Sequence, residues 1–207
     1  MTALVLDTPH GPARAHLHDV RSPHGALVLG HGAGGSVNAK DLVETRDVAL
    51  SAGIAVALVE QPYRVAGRRA SAPAVQLDAA WTSAVETLRA VWFHEQPLVV
   101  GGRSSGARVA CRTSGATGAV GVLCLAFPLQ PPRGKRPEPP PSRLPELDAV
   151  EVETLVVQGE RDRFGMPAAA TRRTVCAVPG DHGLRQGLAT AAPLVTEWLR
   201  RLVQENA

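Results

Sequence analysis

Six short apolar runs punctuate the chain, each closed by glycine, proline or a polar residue leading into one. They fall at 26–29, 54–59, 98–100, 120–127, 155–157 and 175–178. Continuous apolar runs of this length fit strands buried on both faces, as in a parallel sheet. Longer stretches with helical spacing lie between them. The stretch 40–52 follows Ser36 and Asn38, two N-cap candidates, and stops at Gly53. In 75–92, Leu77, Trp81, Ala84, Val85, Leu88 and Trp92 recur at three- and four-residue steps and form one apolar face. The stretch 105–114 follows the third run directly. The last, 193–203, opens on Pro193 in its first turn and aligns Leu194, Trp198 and Leu202. This alternation predicts an α/β fold with a mostly parallel central sheet flanked by helices, in one domain over 1–207. Two weaker pieces, 4–6 and 15–20, are candidates for antiparallel edge strands. The stretch 128–145 breaks the pattern. Its eight prolines in 18 residues, mixed with Arg133, Lys135 and Arg136, exclude a helix interior or a central strand and predict a loop.

Composition narrows the picture. Of 207 residues, 44% are hydrophobic and 20% charged, which is ordinary globular usage and argues against wholesale disorder. Aromatics make up only 3%, so alanine, valine and leucine must fill the core. Three scattered cysteines, Cys111, Cys124 and Cys176, do not make a disulfide scaffold and fit a reducing compartment. A net charge of +3 from 22 basic and 19 acidic residues, with no basic block, gives no sign of a nucleic-acid partner. There is no apolar run of membrane-spanning length and no secretory pattern at the N-terminus, so the expected location is the cytoplasm. No cysteine–histidine cluster has zinc-ligand spacing, so no metal and no cofactor are expected.

The strongest chemical signal is GGRSSG at 101–106, an apolar run before it and a helical stretch after it. Gly102, Ser104 and Gly106 match the G-x-S-x-G nucleophile elbow, a strand-to-helix turn too sharp for side chains beside the serine. A serine needs a base, and the base needs an orienting group. In such folds the chain order is serine, acid, histidine. His182, in GDHG at 180–183, is the one histidine after Ser104. Asp162, beyond the fifth run in QGERD at 158–162, is the favoured acid, with Glu160 and Asp181 as competitors. Backbone N–H groups of Ser105 and Ala33 are the candidate oxyanion donors, Ala33 lying in the glycine-rich turn GHGAGG at 30–35. Gly30, Gly32 and Gly35 also satisfy a dinucleotide-binding spacing, but the acidic residue that should follow is poorly placed.

In this order and spacing, GHGAGG, GGRSSG, QGERD and GDHG resemble the α/β-hydrolase superfamily, and most nearly its small dienelactone-hydrolase-like branch. The resemblance runs from about residue 26 to residue 203. It implies Ser104 as nucleophile, His182 as base, Asp162 as orienting acid and the amides of Ala33 and Ser105 as oxyanion donors. Dienelactone hydrolase itself uses cysteine where this chain has Ser104. Many members carry a helical cap, and here the proline-rich stretch stands in its place, so a minimal, capless member with an open site is expected.

Arginines gather at the predicted C-terminal strand ends. Arg64, Arg68, Arg69 and Arg163, with Arg161, are candidates for a substrate mouth that favours an anionic ester or thioester. Arg103 is expected instead to pair with Glu60 across His31 and brace three strand ends, with His31 a packed supporting histidine. The leading functional expectation is a serine hydrolase for a carboxylic ester or thioester. An acyltransferase sharing the acyl-enzyme, and a non-catalytic scaffold using the proline-rich segment for docking, are the alternatives. Oligomeric state is open, with a homodimer as the commonest assembly.

Overall fold

The computed structural model describes residues 2–132, 134 and 137–207; Arg133, Lys135 and Arg136 of the proline-rich stretch lie outside them. All six apolar runs become strands: β3 (Gly25–Gly30), β4 (Ile54–Glu60), β5 (Leu98–Arg103), β6 (Gly121–Leu125), β7 (Glu153–Gly159) and β8 (Arg173–Val178). The two weak upstream pieces are strands as well, β1 (Thr2–Leu6) and β2 (Ala13–His18). The eight strands form one sheet in the order β1-β2-β4-β3-β5-β6-β7-β8. Only the pairings of β2, with β1 and with β4, are antiparallel.

Side chains alternate between two cores, as the strand period of two demands. Val28, Val100, Val122 and Cys124 face one side, where α3 (Ala74–Leu88) and α4 (Ser105–Thr113) pack with Trp81, Leu88, Ala107 and Val109. Leu27, Leu29, Val99, Leu123 and Leu125 face the other, under α1 (Lys40–Ser51) and α6 (Leu188–Glu205). Fully burying each leucine or valine contributes roughly 1.5–3 kcal/mol. A core without many aromatics therefore rests on the number of such positions. No described helix is long and apolar enough to cross a membrane.

Three expectations are corrected. α1 is capped by Ala39 with no side-chain cap; Ser36 Oγ instead accepts the N–H of Asn38 at 3.2 Å, so both polar residues belong to the turn before the helix. α6 begins at Leu188, so Pro193 sits inside the helix rather than in its first turn. Its ring is exposed and the apolar stripe Leu188, Ala191, Val195 continues beneath it, which makes the loss of one intrahelical hydrogen bond tolerable. The proline-rich loop ends in a short helix, α5 (Leu144–Asp148), with Pro145 in its first turn, where the missing N–H costs nothing. No helical cap is evident among the described residues.

Candidate active site

β5 ends at the elbow. Ser104 has φ 52° and ψ −107°, a conformation that costs a non-glycine residue about 1–3 kcal/mol. The turn is held by the Ser104 N–H, which donates to Leu125 O of β6 at 2.9 Å. The flanking glycines are required by packing against β3. A Cβ on Gly102 would come within 2.5 Å of Gly30 O, and one on Gly106 would meet the backbone of Gly30 and His31. The elbow is strained because the sheet leaves room for backbone alone.

The structure brings Ser104, His182 and Asp162 together. His182 Nε2 lies 3.0 Å from Ser104 Oγ, and His182 Nδ1 lies 2.8 Å from Asp162 Oδ2. With hydrogen on Nδ1 donating to the carboxylate, Nε2 is the acceptor for the serine hydroxyl. The Asp162 side chain is fully buried, and each oxygen has donors: Gln158 Nε2 at 2.9 Å to Oδ2, and the Phe164 N–H at 2.9 Å to Oδ1. Gln158 also donates to the carbonyls of Phe127 and Gly165, tying the acid's loop to the end of β6. The Phe164 ring stands edge-on to His182 at 4.5 Å between centroids. The competitors are elsewhere. Asp181 Oδ1 accepts the Gly183 N–H at 2.8 Å, and Glu160 is exposed.

Ser105 opens α4, so its N–H points out of the helix with no acceptor in the preceding turn. Ala33 is exposed in a turn closed by the Gly35 N–H on Gly32 O at 3.0 Å. Gly32 of that turn packs on the serine, since a Cβ there would be 3.6 Å from Ser104 Cβ. His31 is buried: its Nδ1–H donates to Gly32 O at 2.8 Å and its Nε2 accepts the Gln61 N–H at 3.1 Å. Burial pushes its pKa below the ordinary histidine value, and the hydrogen bond to Gly32 only partly opposes this. It is a packed histidine joining the ends of β3 and β4.

The expected Arg103–Glu60 pair does not form. Glu60 is taken by β2, directly opposite it in register as Arg14, through His16 Nε2 at 3.1 Å and Arg14 Nη1 at 3.5 Å. Arg103 instead pairs with Asp41 of α1, Nε to Oδ2 at 2.7 Å. Of the proposed mouth residues, Arg64 lies on α2 (Pro62–Val65) and donates from Nη1 to Arg68 O at 3.1 Å. Arg68, Arg69, Arg161 and Arg163 are exposed, and the Arg69 carbonyl lies over the glycine-rich turn, 3.5 Å from where a Gly34 Cβ would be. Arg163 stacks on Phe164 at 4.8 Å. None of these five forms an ion pair among the described residues. Sequence reasoning missed three supporting groups, Gln158, Phe164 and Asp41. Only Gln158, a polar residue ending an apolar run, left a visible signal.

An eight-stranded, mostly parallel sheet with a serine at the β5 elbow and an acid and histidine after β7 and β8 defines the α/β-hydrolase fold. The chain belongs to the alpha/beta hydrolase domain family, whose model matches residues 23–186. Solved structures share the fold. A lidless α/β serine hydrolase from Xanthomonas campestris is 22% identical, with TM-score 0.74 over 97% of this chain and 94% of that one. Est1E from Butyrivibrio proteoclasticus, with ferulic acid bound, is 12% identical, with TM-score 0.78 over 97% and 99%. A dienelactone hydrolase from Anabaena variabilis is 16% identical, with TM-score 0.72 over 97% and 96%. No curated protein matches the sequence.

Proposed function

We propose that this protein is a serine hydrolase that cleaves a carboxylic ester or thioester through an acyl-Ser104 intermediate. The observation that carries the reading is the continuous hydrogen-bond chain from Ser104 Oγ through His182 to buried Asp162, at 3.0 and 2.8 Å. Ser104 Oγ attacks the carbonyl carbon while His182 Nε2 takes its proton. Asp162 holds the Nδ1–H and stabilises the imidazolium. The N–H groups of Ser105 and Ala33 receive the developing oxyanion, each worth about 10²–10³ in turnover. His182 then protonates the leaving alcohol or thiol. In the second half, water gives its proton to His182 and attacks the acyl-serine, releasing the acid and regenerating Ser104.

The unpaired arginines beside the site favour a substrate that carries negative charge away from the reacting carbonyl. Arg68, Arg69 and Arg163 are exposed, Arg64 is half-buried, and none of the four forms an ion pair among the described residues, which supports attraction of such a substrate. The test is hydrolysis of a panel of paired neutral and carboxylate-bearing esters and thioesters, feruloyl esters among them, by wild type, Ser104→Ala and His182→Ala. Turnover is expected from wild type alone, with higher kcat/KM for the charged member of each pair. No turnover across the panel by folded wild type would contradict the proposal.

A further inference from the structure

Arg103, the residue immediately before Ser104, meets three separate segments with one planar guanidinium. Its Nε is 2.7 Å from Asp41 Oδ2 in the first turn of α1. Its Nη2 donates to the backbone carbonyl of His182 at 3.2 Å. Its Nη1 lies against the glycine-rich turn, where a Cβ on Gly32 would stand 2.8 Å from it. Asp41 is itself fixed. Its side chain is 2% exposed, and Oδ1 accepts the Leu42 N–H at 3.0 Å. From the same helix, Lys40 Nζ donates to Arg185 O at 2.9 Å, a second tie to the histidine loop.

We infer that Arg103, anchored by Asp41, is a positioning residue that sets the His182 imidazole against Ser104. The inference rests on the serine-hydrolase reading of the site. The carbonyl and the imidazole of His182 branch from one Cα, so holding the carbonyl limits where that Cα can sit, while Asp162 orients the ring itself. Because Arg103 is the residue before Ser104, the same clamp that aims the base is covalently next to the nucleophile. The elbow and the histidine loop are thus tied through one side chain. A buried ion pair is a weak source of net stability, since desolvation offsets most of the attraction. A planar fork that bridges oxygens on two elements is instead a geometric device, and a lysine ammonium cannot reproduce it.

Arg103→Lys, Arg103→Ala and Asp41→Asn test this by two independent readouts. The first is the rate of fluorophosphonate labelling, with kcat and KM on any ester turned over. The second is hydrogen exchange of peptides covering 179–187, with β7 as internal reference. Misplacing a reacting group by about 1 Å costs about 10²-fold, so Arg103→Lys should slow labelling about 10- to 100-fold with KM little changed. Exchange should rise in 179–187 and stay unchanged in β7, and added methylguanidinium should partly restore labelling of Arg103→Ala. Wild-type labelling by Arg103→Lys with unaltered exchange would overturn the inference. So would an exchange increase spread equally through β7, which would mark a packing role only. If wild type itself fails to label, the hydrolase reading fails, while the exchange comparison still decides whether Arg103 holds the loop.

Discussion

Two arginine–carboxylate systems flank α4, and they are built from the same chemistry for different ends. At its N-terminal end, Arg103 and Asp41 join the elbow, the glycine-rich turn and the histidine loop. On its outer face, Arg108 and Arg112 bind Glu146 of α5, and Arg112 also holds Asp78 of α3, Nε to Oδ2 at 2.8 Å and Nη2 to Oδ1 at 2.6 Å. The second system fastens the segment after the proline-rich stretch to the helix layer and touches none of the reacting groups. Electrostatics follow the difference. Burial pushes the Asp41 pKa up, and Arg103 offsets this only in part. Burial also opposes the Glu146 charge, but there Arg108 and Arg112 outweigh it and hold the carboxyl below its usual range. The outer lattice, with all four side chains half-buried and each carboxylate paired, contributes stability, whereas the Arg103–Asp41 pair, in which only the carboxylate is deeply buried, trades stability for placement.

Removing the reacting groups gives the largest effect. Ser104→Ala or His182→Ala should lower kcat/KM by at least about 10⁴-fold with the melting temperature little changed, read by ester hydrolysis beside thermal unfolding. Next comes the outer lattice. Glu146→Gln should leave kcat/KM within about twofold yet cost about 1–3 kcal/mol by denaturant titration, because two arginines lose a half-buried partner. An activity loss without a stability loss would reverse the two roles assigned to the arginine systems.

Smaller again is the rim. Arg64→Gln should raise KM for a carboxylate-bearing ester about fivefold and leave its neutral partner unchanged, an effect that fades as salt rises. An equal change for both would remove charge from the specificity argument.

The smallest effect is in pH. His31 favours its neutral form in the folded state, whereas the unfolded chain binds the proton below about pH 6.5. Its contribution is complete above that value and is lost as pH falls, by less than about 1.4 kcal/mol per pH unit. His31→Gln, which can keep both hydrogen bonds, should flatten the melting temperature between about pH 6.5 and 5. His18, also pushed down by burial, retains its own share.

What could be read from the sequence was what lies close together along the chain or repeats with a fixed period. The strands of the parallel sheet announce themselves as apolar runs because both faces are covered. The elbow announces itself because Gly102 and Gly106 must sit two residues from Ser104. Asp162 and His182 could be named because chain order and strand ends narrow the choice to a few residues. Partners set by packing could not be read. Glu60 looked available to Arg103 only while β2 was too weak a pattern to place beside β4. Nothing local in the sequence marks Asp41, in the first turn of α1, as the residue aimed at the elbow. Pro193 looked like a helix start because the sequence does not show which face of α6 meets solvent.

Intact-protein mass after exposure to a fluorophosphonate, for wild type, Ser104→Ala and His182→Ala, tests the nucleophilic role of Ser104 most directly. One adduct is expected on wild type, mapped to Ser104, and none on either variant. Folded wild type that stays unmodified, or an adduct that persists on Ser104→Ala, would contradict that role.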